Sequence, residues 1–253
     1  MEDQSFVRLE VEEGIGRLTF YHEKKNSMPA LQLKRLADAI TEASDRSDIK
    51  VLILQSAGDS SFCAGASFDE LVAISNEEEG LAFFSGFANV INAMRNCKKF
   101  IIGRIQGKAV GGGVGLASAV DYCFAHESAS IKLSELAVGI GPFVVGPAVE
   151  RKMGLSAFTD LAIDAASWKT AEWAREKGLF NGVYATHDEL DEAISKLSRS
   201  LSNSSPEAMQ HLKAVAWENA SHWDSLLLER AAISGKLVLS DYTRNAIQAF
   251  KKR

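Results

Sequence analysis

Val7, Leu9 and Val11 alternate with polar neighbours just after Phe6. The stretch from Glu12 to Gly16 supplies turn residues, and Arg17-Leu18-Thr19-Phe20-Tyr21 alternates again. Period-two patterning on both sides of a glycine turn predicts a β-hairpin at the head of the chain. Pro29 suits a first helical turn, and Leu31, Leu33, Leu36, Ala37 and Ile40 follow at helical spacing, which predicts a helix. Val51-Leu52-Ile53-Leu54 is a continuous apolar run suited to a buried strand. A long loop is expected from Ser56 to Phe68, then a helix over 81–95, a strand over 100–105, a glycine-rich turn, a helix from Leu116, and a strand over 122–125. Strands alternating with helices predict an α/β core with parallel strands.

From about residue 144 the pattern becomes mostly helical. Asn203 to Glu207 reads as a loop and helix start, and helices are expected over about 206–219, 222–236 and 240–251. The chain therefore divides into an α/β core over 1–200 and a C-terminal helical region over 201–253. A tail this small should dock on its own core or on a neighbour.

Composition narrows the classes. A hydrophobic share of 46% and a charged share of 24% over 253 residues are those of a globular domain with a sizeable core. A net charge of −5 argues against nucleic acid as the main partner. No apolar run reaches the ~20 residues of a membrane span, and the polar start Met1-Glu2-Asp3-Gln4-Ser5 is unlike a signal peptide. Cys63, Cys97 and Cys123 lie far apart, and the five histidines form no HExxH helix. The expectation is a reduced, cytoplasmic protein with no metal site.

Candidate chemistry concentrates in two loops. Gly111, Gly112, Gly113 and Gly115 put four glycines in five positions after the strand at 100–105. Such a run costs backbone entropy and suits a turn where backbone N–H groups and a helix N-terminus face negative charge. The earlier segment Ser60-Ser61-Phe62-Cys63-Ala64-Gly65-Ala66-Ser67-Phe68 is similarly small-residue-rich and also follows a buried strand. Two such loops on neighbouring parallel strands could each offer one N–H to a single oxygen, the geometry of an oxyanion hole. For either loop alone, a tightly packed turn is the plainer alternative.

Together the loops resemble the enoyl-CoA hydratase/isomerase (crotonase) superfamily. Phe62-Cys63-Ala64-Gly65-Ala66 is followed by Gly107-x-Ala109-x-Gly111-Gly112-Gly113-x-Gly115-Leu116; Asp121, the stretch from Ala171 to Leu179 and the end Ala249 to Arg253 also match. The resemblance implies a ββα spiral core with a C-terminal helical trimerisation region, and a homotrimer or dimer of trimers. It implies that Ala66 and Gly112 donate to a thioester oxygen. It further implies an acyl-CoA substrate and no prosthetic group, with coenzyme A running along Ala64, Gly65 and Phe68. Lys24, Lys25 or the terminal basic cluster would then meet its phosphates.

Hydratases of this superfamily carry a glutamate just after the glycine triplet and another twenty positions on. Here Gly115 occupies the first position and Glu135 the second. The apolar stretch from Gly141 to Pro147 should desolvate Glu135 and raise its pKa towards neutrality. The expectation is an enoyl-CoA hydratase-like enzyme with Glu135 as its single catalytic carboxylate. Double-bond isomerisation and catalytically impaired acyl-CoA binding stand as alternatives. Asp69 and Glu70 are expected to cap a helix, and Glu150 to lie on a solvated face. A nicotinamide-binding enzyme fits poorly, because the glycine run comes late and after a hairpin. A serine hydrolase lacks the G-x-S-x-G elbow.

Overall fold

A computed structural model describes residues 5–251, with side chains through Ala249. The terminal basic residues Lys251, Lys252 and Arg253 therefore lie outside the described side chains. The chain opens as expected, with β1 (Phe6–Glu12) antiparallel to β2 (Ile15–Tyr21) and Leu9 opposite Leu18. Helix α1 (Ala30–Asp45) buries Leu33, Leu36 and Ile40 at spacings of three and four. Leu31 is a correction, since it is 53% exposed. Two positions before Leu33 is about 200° around the helix, off the buried stripe.

Three ββα units follow. In the first, β3 (Val51–Ser56) continues through a tight bend into β4 (Ser61–Cys63), then into α2 (Phe68–Ala73) and α3 (Glu77–Asn96). In the second, β5 (Phe100–Ile105) continues into β6 (Lys108–Val110) and then α4 (Gly112–Ala119). In the third, β7 (Tyr122–His126) continues into β8 (Ser130–Lys132), a 3-10 turn (Leu136–Val138) and α5 (Gly146–Ile163). The long strands β3, β5 and β7 lie side by side in parallel. Their short continuations β4, β6 and β8 do the same in a second sheet. Each unit thus advances the chain by one strand in both sheets, giving a ββα spiral. Between the 100–105 strand and the helix, where the sequence predicts only a glycine-rich turn, lies β6, and α4 starts four residues before Leu116.

The second sheet is closed by β9 (Lys169–Thr170), which leads into α6 (Ala171–Glu176), and the first by β10 (Gly182–Tyr184). The chain then becomes helical, with α7 (His187–Ser202), α8 (Pro206–Ala216), α9 (Trp223–Leu237) and α10 (Asp241–Lys251). Trp223, Leu227 and Ala231 of α9 share one buried cluster with α1, α3 and α4. Gly80 and Gly235 let α3 and α9 touch, for an ideal Cβ on Gly80 would lie 2.7 Å from the Gly235 backbone. No helix among the described residues is long and apolar enough to cross a membrane.

Asp121, between α4 and β7, ties α8 to this core. Its carboxylate accepts from Lys213 Nζ at 2.8 Å, Ile101 N at 2.8 Å and Trp217 Nε1 at 2.9 Å. The Lys213 side chain is 3% exposed and that of Asp121 10%. Removing one partner of a buried pair strands the other charge, at about 3–5 kcal/mol. Asp121→Ala is expected to cost that much in urea unfolding; a loss under about 1 kcal/mol would show that the pair anchors nothing.

Candidate active site

The three catalytic candidates come together because they follow adjacent strands of the second sheet. Ala66 comes shortly after β4, Gly112 follows β6, and Glu135 follows β8, with strand order β4-β6-β8. All three line one cavity of about 240 Å³ at the carboxyl ends of those strands. That edge is where open α/β sheets habitually bind ligands.

The orientation of Ala66 follows from its pairing. It forms a parallel bridge with Met28 in which Gly65 O accepts from Met28 N at 2.8 Å and Met28 O accepts from Ser67 N at 3.3 Å. A parallel bridge of this register uses the groups flanking Ala66 and turns the N–H of Ala66 to the opposite side. The strap over 22–28 that makes the bridge is itself fixed. Asn26 Nδ2 donates to Ala57 O at 2.8 Å and Ser61 O at 2.9 Å, while Lys25 O accepts from Ala64 N at 3.2 Å. Sequence reasoning missed Asn26 and Met28, which belong to no motif; in the structure Asn26 takes a positive φ of +57°.

Gly111 caps α4 with φ +52° and ψ −114°, a conformation open to glycine and costly for other residues. Gly112 is the first residue of α4, so its N–H has no intrahelical acceptor. Neither the Ala66 nor the Gly112 N–H donates to another group among the described residues. The Phe87 ring occupies the space beside Gly112, where an ideal Cβ would fall 2.2 Å from its Cε1. Every residue of α4 is buried, and Gly111 and Gly112 at its start line the cavity.

Glu135 opens the 3-10 turn, and its carbonyl accepts from Val138 N at 3.2 Å and Ile140 N at 3.0 Å. The far end of that turn is held by α10, where Thr243 Oγ1 donates to Gly139 O at 3.1 Å. The Glu135 carboxyl lies against Gly111, with Oε1 2.9 Å from where a Cβ would stand. Its Oε2 is buried and has no hydrogen-bond partner among the described residues. Burial pushes the Glu135 pKa up to about 7, against a smaller lowering by its own backbone N–H.

The other candidates separate cleanly. Ala64, Gly65 and Phe68 line the cavity. Lys25 does not; it is exposed and meets the loop only through its carbonyl. Ser67 caps α2, Asp69 pairs with Lys24, and Glu70 Oε2 accepts from Ala30 N at 2.8 Å. Neither acid lines the cavity, and Glu150 is exposed on α5. Among the described residues Glu135 is the only acid in the cavity wall.

Gly115 has a structural reason that its sequence neighbourhood does not reveal. An ideal Cβ there would lie 2.5 Å from Val145 Cγ1 and 2.8 Å from Val145 Cβ. Val145 is 4% exposed and fills the space a side chain at 115 would need.

Chemically, a buried carboxyl ionising near neutrality can take and return a proton, and two unpaired amides can hold an oxygen that becomes negative. That equipment suits acid/base chemistry beside a carbonyl group. The chain belongs to the enoyl-CoA hydratase/isomerase family, whose model matches residues 10–251. It is similar to a probable enoyl-CoA hydratase of Bacillus subtilis, at 25% identity over 98% of this chain and 96% of the relative. It is 32% identical to the mitochondrial methylglutaconyl-CoA hydratase of Homo sapiens over 84% of this chain, and spans 64% of that longer protein. The peroxisomal Delta(3,5)-Delta(2,4)-dienoyl-CoA isomerase of Arabidopsis thaliana matches at 29% over 70% of this chain and 67% of its own. In fold, the crystal structure of an enoyl-CoA hydratase from Bacillus halodurans superposes with a TM-score of 0.90, covering 97% of this chain and 100% of that one at 20% identity.

Proposed function

We propose that the protein isomerises the double bond of an enoyl-CoA thioester, with Glu135 as sole acid/base and the Ala66 and Gly112 amides as oxyanion donors. Glu135 takes a proton from C2 of a 3-enoyl thioester. The electron pair moves into the carbonyl, whose oxygen the two N–H groups hold as a dienolate. The same carboxyl then returns the proton at C4, leaving the double bond between C2 and C3. No second acid is required, and coenzyme A enters only as part of the substrate.

The observation that carries this reading is Val145 packed on Gly115. It fills the space a second carboxylate at 115 would need to help hold a water. Hydration by Glu135 alone, the sequence-based expectation, is the second reading and draws support from the hydratase relatives. Separate incubations with 3-enoyl-CoA and 2-enoyl-CoA thioesters, analysed by chromatography, distinguish the two. Isomerisation predicts 2-enoyl product from the former and no 3-hydroxyacyl product from either; rapid 3-hydroxyacyl formation from 2-enoyl-CoA overturns it.

The base must be ionised in the free enzyme, so kcat/KM should rise about tenfold per pH unit on the acid side and level above about 7. A profile flat from pH 5 to 8 would contradict a buried carboxyl as base. The proposal includes assembly as a homotrimer or dimer of trimers, for which exposed apolar residues such as Leu212 and Val215 on α8 are available surface. Light scattering reads it directly.

A further inference from the structure

Resting on the reading of this cavity as an acyl-CoA site, we infer that the enzyme is selective for acyl groups without a second carboxylate. With the thioester oxygen at Ala66 and Gly112, the acyl tail runs along Leu71, Phe84, Phe87, Phe143, Val144 and Val145. The polar side chains in the wall are those of Ser134, Ser234 and Glu135. No lysine, arginine or histidine lines the cavity among the described residues.

Lysines close in sequence to the cavity-lining segments are engaged elsewhere. Lys132, three residues before Glu135, lays its ammonium 5.5 Å from the Trp168 ring, together with Lys108 at 5.1 Å. Lys24 is paired with Asp69. A carboxylate on a short acyl tail would thus leave water for aromatic and aliphatic walls, with no counter-ion and with Glu135 as a neighbouring like charge. Burying an unpaired charge in such surroundings is strongly unfavourable. An apolar tail of equal length loses nothing and gains contact with the phenylalanines.

The test compares tails of equal length. trans-3-Hexenoyl-CoA is set against trans-3-hexenedioyl-CoA for turnover, and hexanoyl-CoA against adipyl-CoA for binding by calorimetry. The expected result is a kcat/KM at least about 100-fold lower for the dicarboxylic thioester, and an adipyl-CoA affinity at least about 10-fold weaker. Equal binding of the two saturated thioesters overturns the inference whatever reaction the enzyme performs. If neither unsaturated compound turns over while hexanoyl-CoA still binds preferentially, the isomerase reading fails and the selectivity stands. Phe143→Lys, at a half-buried position that lets the ammonium reach the cavity edge, should narrow the binding ratio about tenfold. An unchanged ratio in the folded variant would show that the missing cation is not the cause.

Discussion

Glu135→Gln is expected to lower isomerase turnover by about 10²–10⁴-fold while making the protein more stable at alkaline pH. The two effects have one cause. The amide keeps the shape of the carboxyl and cannot accept a proton, so the proposed transfer from C2 would lose its base. In the folded protein Glu135 ionises near 7, against 4.5 as its ordinary value. A raised carboxyl pKa favours the folded state fully below 4.5, and that advantage is lost as pH rises through 7. Wild type therefore carries a charged, poorly solvated carboxylate at pH 8. At 1.36 kcal/mol per pKa unit the penalty is on the order of 3 kcal/mol. Urea unfolding should show the variant more stable than wild type by about 1–3 kcal/mol at pH 8, and the two alike at pH 4. Equal stability at pH 8 would mean that the carboxyl is well solvated.

Gly115→Glu is expected to cost at least about 4 kcal/mol and to give largely insoluble protein. Its Cβ alone would meet Val145 Cγ1 at 2.5 Å, and Val145 is 4% exposed, so the two side chains cannot share the space unless Val145 is displaced into the cavity it lines. Overpacking contributes about 1–3 kcal/mol, and burying the new carboxylate beside Glu135 adds several more. Relief at the contact is the control. Gly115→Glu/Val145→Gly should recover more than about 1 kcal/mol beyond the sum of the single effects, because the two positions share one volume. Additive losses would mean that Val145 does not exclude the side chain.

The long strands and amphipathic helices were legible because each repeats a pattern over six or more residues. The hairpin shows its period of two through Val7, Leu9 and Val11, and α1 its stripe through Leu33, Leu36 and Ile40. The second sheet was not legible, since β4, β6 and β8 are three residues each and sit inside loops rich in small residues. A strand so short carries no periodicity; it forms because its neighbour offers a ladder edge. Much of the candidate site's placement could be read all the same, because the proposed oxyanion donors are backbone amides and small residues advertise close backbone approach. Val145 on Gly115 and Phe87 on Gly112 could not be foreseen, as they depend on side chains 30 and 25 positions away. Lys25 shows in the sequence only as a charge, while in the fold its carbonyl also accepts from Ala64 N.

The most direct test of Glu135 as the base at C2 is hydrogen exchange from the thioester itself. 3-Hexenoyl-CoA is incubated in D₂O at pD 8 and the C2 and C4 positions are followed by NMR. Wild-type enzyme should convert the substrate, with some solvent deuterium entering at C4, and Glu135→Gln should leave both positions protonated over the same period. Conversion or C2 exchange by the folded variant at the wild-type rate would contradict Glu135 as the group that moves the proton.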